Sequence, residues 1–509
     1  MKRLHAMFDD TVRRVPHRVA LVCGDHRLDY AGLDALSRRV AVRLRALGVV
    51  PGDRVGVLLD NSVEMVASLW AVLRAGAVCM PFNPQTKADK LAGMMAGTRG
   101  RLLIAQPSLA SVWRAARAGS TGAWHVLTID AAWHGQTDEH PWPESDAPSD
   151  DGVPVAETDD DTLAFIIHTS GTTGAPKGVM LSHRNLASVM QTVASYLALR
   201  QDDVIFSALP LSFSYGLGQC LLSARVGATL VLDRSFAFPA KSLEILARER
   251  ATVFPAVPTM YAMLAGMDDL SPWDLSSLRL LTSASAPLSP VLQQRTAARF
   301  PGADLVVMYG QTECTRISYL PAAERERRPD SIGRGMAGQT CWLIDDAGRR
   351  VPWGGTGELV VQGEHVTQGY WGAPALTAEK FIEGAEGQGR AFRTGDLFRS
   401  DEDGWLYFVA RKDDIIKTRG EKVSPVEVEA AIARLPAVRE CLVSGVPDDL
   451  LGQALKAWIV LQPGATLSER DVIRHCLAHL ESHMAPRHVA FLDDLPRTDN
   501  GKPTRKGLP

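Results

Sequence analysis

Two hydrophobic periods alternate along the first part of the chain, and this alternation constrains the fold more than any other feature. Leu33, Leu36, Val40, Leu44 and Leu47 recur at three- and four-residue steps with Gly48 behind them, which predicts an amphipathic helix with a glycine stop. Arg54-Val-Gly-Val-Leu-Leu59 reads as a short buried strand, Met65–Leu73 as a helix and Ala77-Val-Cys-Met80 as the next strand. Strand, helix, strand in this order closes through right-handed crossovers and implies a parallel sheet covered by helices. The rhythm resumes with the apolar strand Leu163-Ala-Phe-Ile-Ile167 and continues to about residue 320. Between about 340 and 410 it changes to short strands separated by glycine turns, at Glu358–Gln362, Thr367–Tyr370 and Trp405–Phe408. A boundary is expected near 411–414. Beyond it Ser424, Pro425 and Glu427 form a helix start, with a capping box and proline at the first helical position.

Charge excludes several classes of function. The 509 residues carry 55 Lys+Arg against 58 Asp+Glu, a net charge of −3, so no general basic field exists to hold nucleic acid. The longest apolar stretch, Met65 to Phe82, is interrupted by Arg74, Gly76 and Pro81, which suits a buried helix and strand better than a membrane span. The opening MKRLHAMFDD lacks the apolar region of a signal peptide. Seven scattered cysteines without a CxxC pair predict neither a disulfide framework nor a local zinc site, and they suit a cytoplasmic protein. His134 to Thr162 holds ten Asp/Glu and no Lys or Arg, and is expected to be a solvated surface connection.

The most informative segment is His168-Thr-Ser-Gly-Thr-Thr-Gly-Ala-Pro-Lys-Gly178. It follows a strand and precedes an expected helix start near Asn185. Glycines let backbone N–H groups turn inward, hydroxyls add donors and Lys177 adds charge, which together make a concavity for phosphate oxygens. Lys177 stands between Pro176 and Gly178, so the GxxxxGK[ST] pattern of P-loop kinases and motor ATPases fails. The segment resembles the signature loop of the adenylate-forming superfamily, which includes acyl-CoA synthetases, aryl acid ligases, adenylation domains of nonribosomal peptide synthetases and beetle luciferases. Further matches follow in that family's order: Tyr309-Gly-Gln-Thr-Glu313, Gly357-Glu358 with Gly369-Tyr370-Trp371, Arg393-Thr-Gly-Asp-Leu397, Arg411-Lys-Asp-Asp-Ile-Ile-Lys417 and Pro496-Arg-Thr-Asp-Asn-Gly-Lys502.

The resemblance implies an α/β fold. A large N-terminal domain, residues 1–412, would comprise parallel-rich α/β subdomains and a small β-rich subdomain. A small mobile C-terminal α+β domain, residues 413–509, would carry the catalytic lysine. It implies ATP and Mg²⁺ as cofactors, with Thr169, Ser170, Gly171, Thr172, Thr173, Gly174 and Lys177 around the phosphates. Tyr309 would pack on adenine, Asp396 would accept the ribose hydroxyls, and Arg411 would contact ribose or phosphate. Ala410 precedes that arginine where the family usually has glycine. Thr312 would bond phosphate, Glu313 would ligate Mg²⁺, and Lys502 would stabilise the transferring α-phosphoryl group. Asp413 would be the hinge on which the small domain turns from the Lys502 face to the Lys417–Val423 face, with Gly420, for thiol attack.

The acyl pocket would use Phe213, Ser214, Tyr215 and Gly216, together with Ser283, Ala284 and Ser285. Ser214 lies near positions where many acyl-CoA synthetases have histidine and amino-acid adenylation domains have aspartate. An ammonium left unpaired there would be costly, so an acid without an α-amino group, fatty or aryl, is expected. The expected acceptor is coenzyme A, with the phosphopantetheine thiol of an acyl or peptidyl carrier protein as the alternative. Luciferase-like oxygenation, a non-catalytic nucleotide binder and an ATP hydrolase or kinase are the rival readings. Neither nucleic acid nor a transmembrane segment is expected.

Overall fold

The leucine-rich period forms the helix Tyr30–Ala46. Asp29 caps it by accepting the Gly32 amide at 2.7 Å, and Gly48 leaves the helix end at φ +80°. The next helix, Val63–Arg74, is capped by Ser62 and buried along its whole length. The Arg74 side chain that ends it is 3% exposed and is neutralised by Asp9 at 2.6 Å and by Asp34, with Ser37 Oγ 3.1 Å away. This computed structural model describes residues 3–120, 124–143, 159–169, 176–387, 389–418, 421–448, 452–498 and 501–509.

The chain forms two compact units. The first holds Met1–Ala323, Gly335–Thr340 and Val361–Phe392; the second holds Glu324–Arg334, Cys341–Val360 and Arg393–Pro509. In the first, Arg54–Leu58 lies parallel to both Val78–Phe82 and Gly100–Ala105. Leu58, Met80, Phe82, Leu103 and Trp113 join the core on one face of this sheet. A second sheet carries Leu280–Ser283 parallel to Val253–Ala256 and Asp304–Tyr309, and it continues through Val204–Ser207 and Thr229–Leu232 to Val19–Cys23. The expected parallel α/β organisation is therefore present. No helix among the described residues is long and apolar enough to cross a membrane.

The second unit contains antiparallel hairpins and an α+β module. Val438–Asp448 pairs antiparallel with Gly452–Leu461, and His488–Phe491 adds to the latter in parallel. Helices Pro425–Ile432 and Glu469–His479 supply Val428, Ile432, Val472 and Cys476 to its core. Ser424 caps the first of these helices by accepting the Glu427 amide. Of the two hydrogen bonds of a capping box, this is the one the structure carries.

Two expectations are corrected. Thr367–Tyr370 is not a strand; Tyr370 makes only an isolated bridge with Val179. The acidic stretch is not solvated throughout, although residues 144–158 lie outside the described residues. Glu139 forms an edge strand with His140, and its side chain has no exposed surface. Arg114 donates to it at 2.7 and 2.9 Å, Arg117 at 3.1 Å, and the Trp133 indole at 3.2 Å. A composition count sees an acidic run, whereas the structure pairs one of its members with two arginines. The Arg114 hydrogen bonds, outweighing burial, hold the Glu139 carboxyl down to about 2. Glu139→Gln is expected to lower stability by about 2 kcal/mol at pH 7, because two guanidinium groups lose their counter-charge. A urea midpoint unchanged by the substitution would contradict that role. The stabilisation is present above the ordinary carboxylate range and fades as pH falls toward 2.

Candidate functional site

Leu163–Thr169 runs antiparallel to Lys177–Ser182, with Thr169 opposite Lys177 and His168 opposite Gly178. The segment thus joins two strands, and the helix expected near Asn185 follows the second of them. The helix His183–Tyr196 begins only after the second strand, with Ser182 and Asn185 as its reciprocal cap. Ser170, Gly171, Thr172, Thr173 and Gly174 lie outside the described residues; Thr169 and Lys177 flank them.

The second strand is also bound on its other side. Met180 N–H donates to Gly369 O at 3.0 Å, and Trp371 N–H to Gly178 O at 2.8 Å. These bonds bring Tyr370 to Lys177, whose Nζ lies 5.8 Å from its ring centre. The Tyr370 hydroxyl donates to Glu313 Oε1 at 2.8 Å, and Thr367 N–H donates to the Glu313 carbonyl at 2.8 Å. Burial and the adjacent Glu313 carboxylate push the Tyr370 phenol above its ordinary range, so it remains a donor. Three segments about 60 to 190 residues apart in sequence meet here. Tyr370→Phe is expected to reduce ATP turnover about tenfold, the scale of one hydrogen bond to a charged group, and to raise the Mg²⁺ concentration needed for half-maximal rate. An unchanged Mg²⁺ titration would rule this out.

Glu313 follows the strand Asp304–Tyr309, whose parallel neighbour ends at Ser283. Tyr309 and Ser283 thus stand at the carboxyl ends of parallel strands, where open α/β sheets bind ligands. Tyr309 is half-buried and its hydroxyl accepts from Gln311 Nε2 at 3.2 Å. Thr312 is likewise half-buried. Ala284 is buried, and Ser285 holds φ +74°. For Mg²⁺, the described residues offer no cluster of three or more acidic, histidine or cysteine ligands. One carboxylate, Glu313, fits a cation whose remaining ligands are phosphate oxygens and water.

The segment expected to line the acyl pocket begins the helix Ser214–Val226, with Phe213 as its N-cap residue. Tyr215 is 5% exposed, and its hydroxyl bonds Thr282 O at 3.0 Å and Thr282 Oγ1 at 2.8 Å. A Cβ on Gly216 would stand 2.2 Å from the Pro210 carbonyl oxygen, so only glycine permits this close turn.

In the second unit, Asp396 is 3% exposed and lies opposite Arg411 on adjacent antiparallel strands, with Arg411 Nε 3.3 Å from Asp396 Oδ1. Glu358 holds the same turn. It accepts from Arg393 at 2.7 Å and from the Gly395 amide at 3.2 Å, and lies 3.5 Å from Lys412 Nζ. Asp413 sits in the short 3₁₀ turn Lys412–Asp414. Lys502 follows a tight turn in which Gly501 adopts φ +75°, and Thr498 N–H donates to the Lys502 carbonyl at 2.8 Å. Crowding that thins the water around its partly accessible side chain, and then Arg411, pull the Lys502 ammonium below the usual lysine range; Asp396 and Asp414 oppose this.

Residues 8–371 match the AMP-binding enzyme model, and 427–502 match the AMP-binding enzyme C-terminal domain. The chain belongs to the AMP-binding enzyme family. This is a family of adenylate-forming, acyl-CoA synthetase-like enzymes. The chain is 34% identical to feruloyl-CoA synthase of Amycolatopsis sp over 96% of its own length and 95% of that protein. It is 31% identical to tyrocidine synthase 2 of Brevibacillus parabrevis over 99% of its length, but spans only 14% of that protein. Its fold matches the anthranilate CoA ligase AuaEII in complex with anthranoyl-AMP at TM-score 0.90, with 28% identity, covering 99% of this chain and 95% of that one.

Within this AMP-binding enzyme, Tyr370 and Glu358 are members of sequence motifs that name no partner for either. The signal was present, since a polar side chain inside an otherwise apolar Gly-Tyr-Trp or Gly-Glu-Leu-Val context needs one. Arg505, which donates to Val443 O at 2.7 Å and also pairs with Asp414 and Glu429, gave no signal beyond its proximity to Lys502. Arg316 was also missed.

Proposed function

We propose that this AMP-binding enzyme activates a carboxylic acid with ATP to an acyl-adenylate and transfers the acyl group to a thiol, with release of pyrophosphate and then AMP. The observation that carries this reading is the convergence of Lys177, Tyr370 and Glu313. A carboxylate is a poor electrophile. Joining it to AMP makes a mixed anhydride with a good leaving group, so the protein must neutralise charge at the phosphates. Thr169 to Gly174 and Lys177 bind the triphosphate, and Thr312 bonds a phosphate oxygen. Glu313 holds Mg²⁺, which supplies charge neutralisation when bound. Tyr309 packs on adenine. Asp396, oriented by Arg411, accepts the ribose hydroxyls, and Lys502 stabilises the transferring phosphoryl group. Residues 1–412 and 413–509 act as two domains hinged at Asp413.

The acid lacks an α-amino group, since Leu209 to Leu217 contains no carboxylate to receive one. Coenzyme A is the acceptor in this reading, supported by the end-to-end similarity to feruloyl-CoA synthase. Transfer to a carrier-protein thiol is the second reading, supported by the similarity to tyrocidine synthase 2. A cytoplasmic setting fits seven cysteines, none of which forms a disulfide. The test is acid-dependent ATP–pyrophosphate exchange without thiol, followed by thioester formation with free coenzyme A. Exchange without thioester favours the carrier-protein reading. Exchange confined to α-amino acids defeats the assignment of the acid.

A further inference from the structure

Arg316 is a buried cation for which the described residues provide no carboxylate. Its side chain is 5% exposed and forms no ion pair with any described Asp or Glu. Its guanidinium stands 5.0 Å from the centre of the Tyr215 ring. A hydrogen bond and its positive charge both act on the Tyr196 phenol, which nonetheless lies above its ordinary range because burial dominates. The guanidinium Nε is buried without a hydrogen-bond partner. Neutral phenols and a ring face offset only part of the cost of burying a charge; an anion is needed to complete it.

The fold holds the arginine there on purpose-built backbone. Ile317 N–H donates to the Tyr309 carbonyl at 2.8 Å, folding the chain back over the end of its strand. A Cβ on Gly310 would lie 2.5 Å from Thr315 O and 2.8 Å from Arg316 Cα, so glycine is required for this return. Thr315 adopts φ +58°, a conformation costly for a β-branched residue. The return places the guanidinium against Tyr215, in the segment assigned above to the acyl group. Ser283, beside the Thr282 that holds the Tyr215 hydroxyl, is fully buried with an unpartnered Oγ.

We propose that Arg316 recognises a second carboxylate on the acyl substrate, so that the preferred acid is a small dicarboxylic acid. This rests on the acid-activating reading above. Arg316 lies three positions after Glu313, so their Cα atoms are at most about 11 Å apart. The proposed substrate is one whose two carboxylates are joined by a few carbons, a span compatible with that short backbone reach. One carboxylate is activated and the other pairs with the guanidinium, in the bidentate geometry that planar group favours. The same positive site repels the ammonium of an α-amino acid.

The test is ATP–pyrophosphate exchange with shape-matched pairs of acids: succinate against butyrate, glutarate against valerate, and phthalate against benzoate. The wild-type enzyme is expected to favour one diacid over its partner by at least about tenfold in kcat/KM. Arg316→Met is expected to cut that diacid-to-monoacid ratio by about a hundredfold, and Arg316→Lys to restore part of it. Wild-type preference for the monoacid in every pair overturns the inference while leaving acid activation intact. Equal loss of all acids in Arg316→Met also overturns it. Weakened ATP protection against thermal unfolding would then mark the arginine as a nucleotide contact, and a lowered melting temperature without ATP would mark it as a packing group. Absence of exchange with any carboxylic acid defeats the acid-activating reading and this inference with it.

Discussion

Lys502→Ala is expected to slow acyl-adenylate formation by about a thousandfold, the scale on which preorganised charges contribute to transition states. Thioester formation from preformed acyl-adenylate is expected to proceed at close to the wild-type rate. The asymmetry follows from where charge develops. In the first half-reaction it develops on the α-phosphoryl group as pyrophosphate departs, where we propose that the Lys502 ammonium stabilises it. In the proposed second, a thiolate attacks a carbonyl, and the adenylate is already formed. The structure presents Lys502 on a tight turn braced by Arg497, which donates to both oxygens of Glu440 at 2.9 Å and to Asp494 at 3.0 Å. The turn is therefore held by partners other than the lysine itself, and alanine should remove the charge without collapsing it. Rapid-quench measurement of the two half-reactions checks this. Equal loss in both would mean that Lys502 serves the fold or both steps alike.

The second large effect is acid sensitivity. Burial holds His5, His168 and His365 down to about 4, and His183 to about 3. Arg3 and Arg74 add to the effect at His5, and Lys90 at His168. At His183, His5 and Arg3 lower the value while Asp160 and Asp159 oppose them. Each ring is neutral in the folded protein, whereas an unfolded histidine takes up a proton near 6.5. The unfolded chain therefore binds more protons once pH falls below 6.5, and stability drops until the folded values are reached. At pH 5 one such histidine costs about 2 kcal/mol. His5 and His183, whose rings are 5.5 Å apart, share part of their cost. The sum is still about 6 kcal/mol, comparable with the whole stability of many domains. Urea midpoints at pH 8 and pH 5 test this. His5→Phe is expected to recover about 2 kcal/mol at pH 5, because both His5 nitrogens are buried without partners. Equal midpoints at the two pH values would show that protonation of these rings does not limit stability.

Much of the fold was legible because it depends on local period. The helix Tyr30–Ala46, the strand Arg54–Leu58 and the helix Val63–Arg74 each bury one continuous set of apolar side chains, and a linear pattern records that directly. The motif order was legible for the same reason: each glycine, proline or charged residue meets a local backbone need, as Gly501 does at φ +75° before Lys502. What the sequence did not reveal depends on partners brought in from far along the chain. The strand Lys177–Ser182 was not legible, because Leu163–Thr169 holds one of its edges and Gly369 and Trp371 the other. Glu139 looked solvated until Arg114 and Arg117 enclosed it. Glu313 acquired its orientation from Tyr370, 57 residues away. The sequence alone determined the α/β rhythm and the family. Tertiary structure alone decided which charges are paired, and hence that Arg316 stands buried beside Tyr215 without a carboxylate among the described residues. Hydrophobic period is a property of neighbours in the chain, whereas electrostatic pairing is a property of neighbours in space.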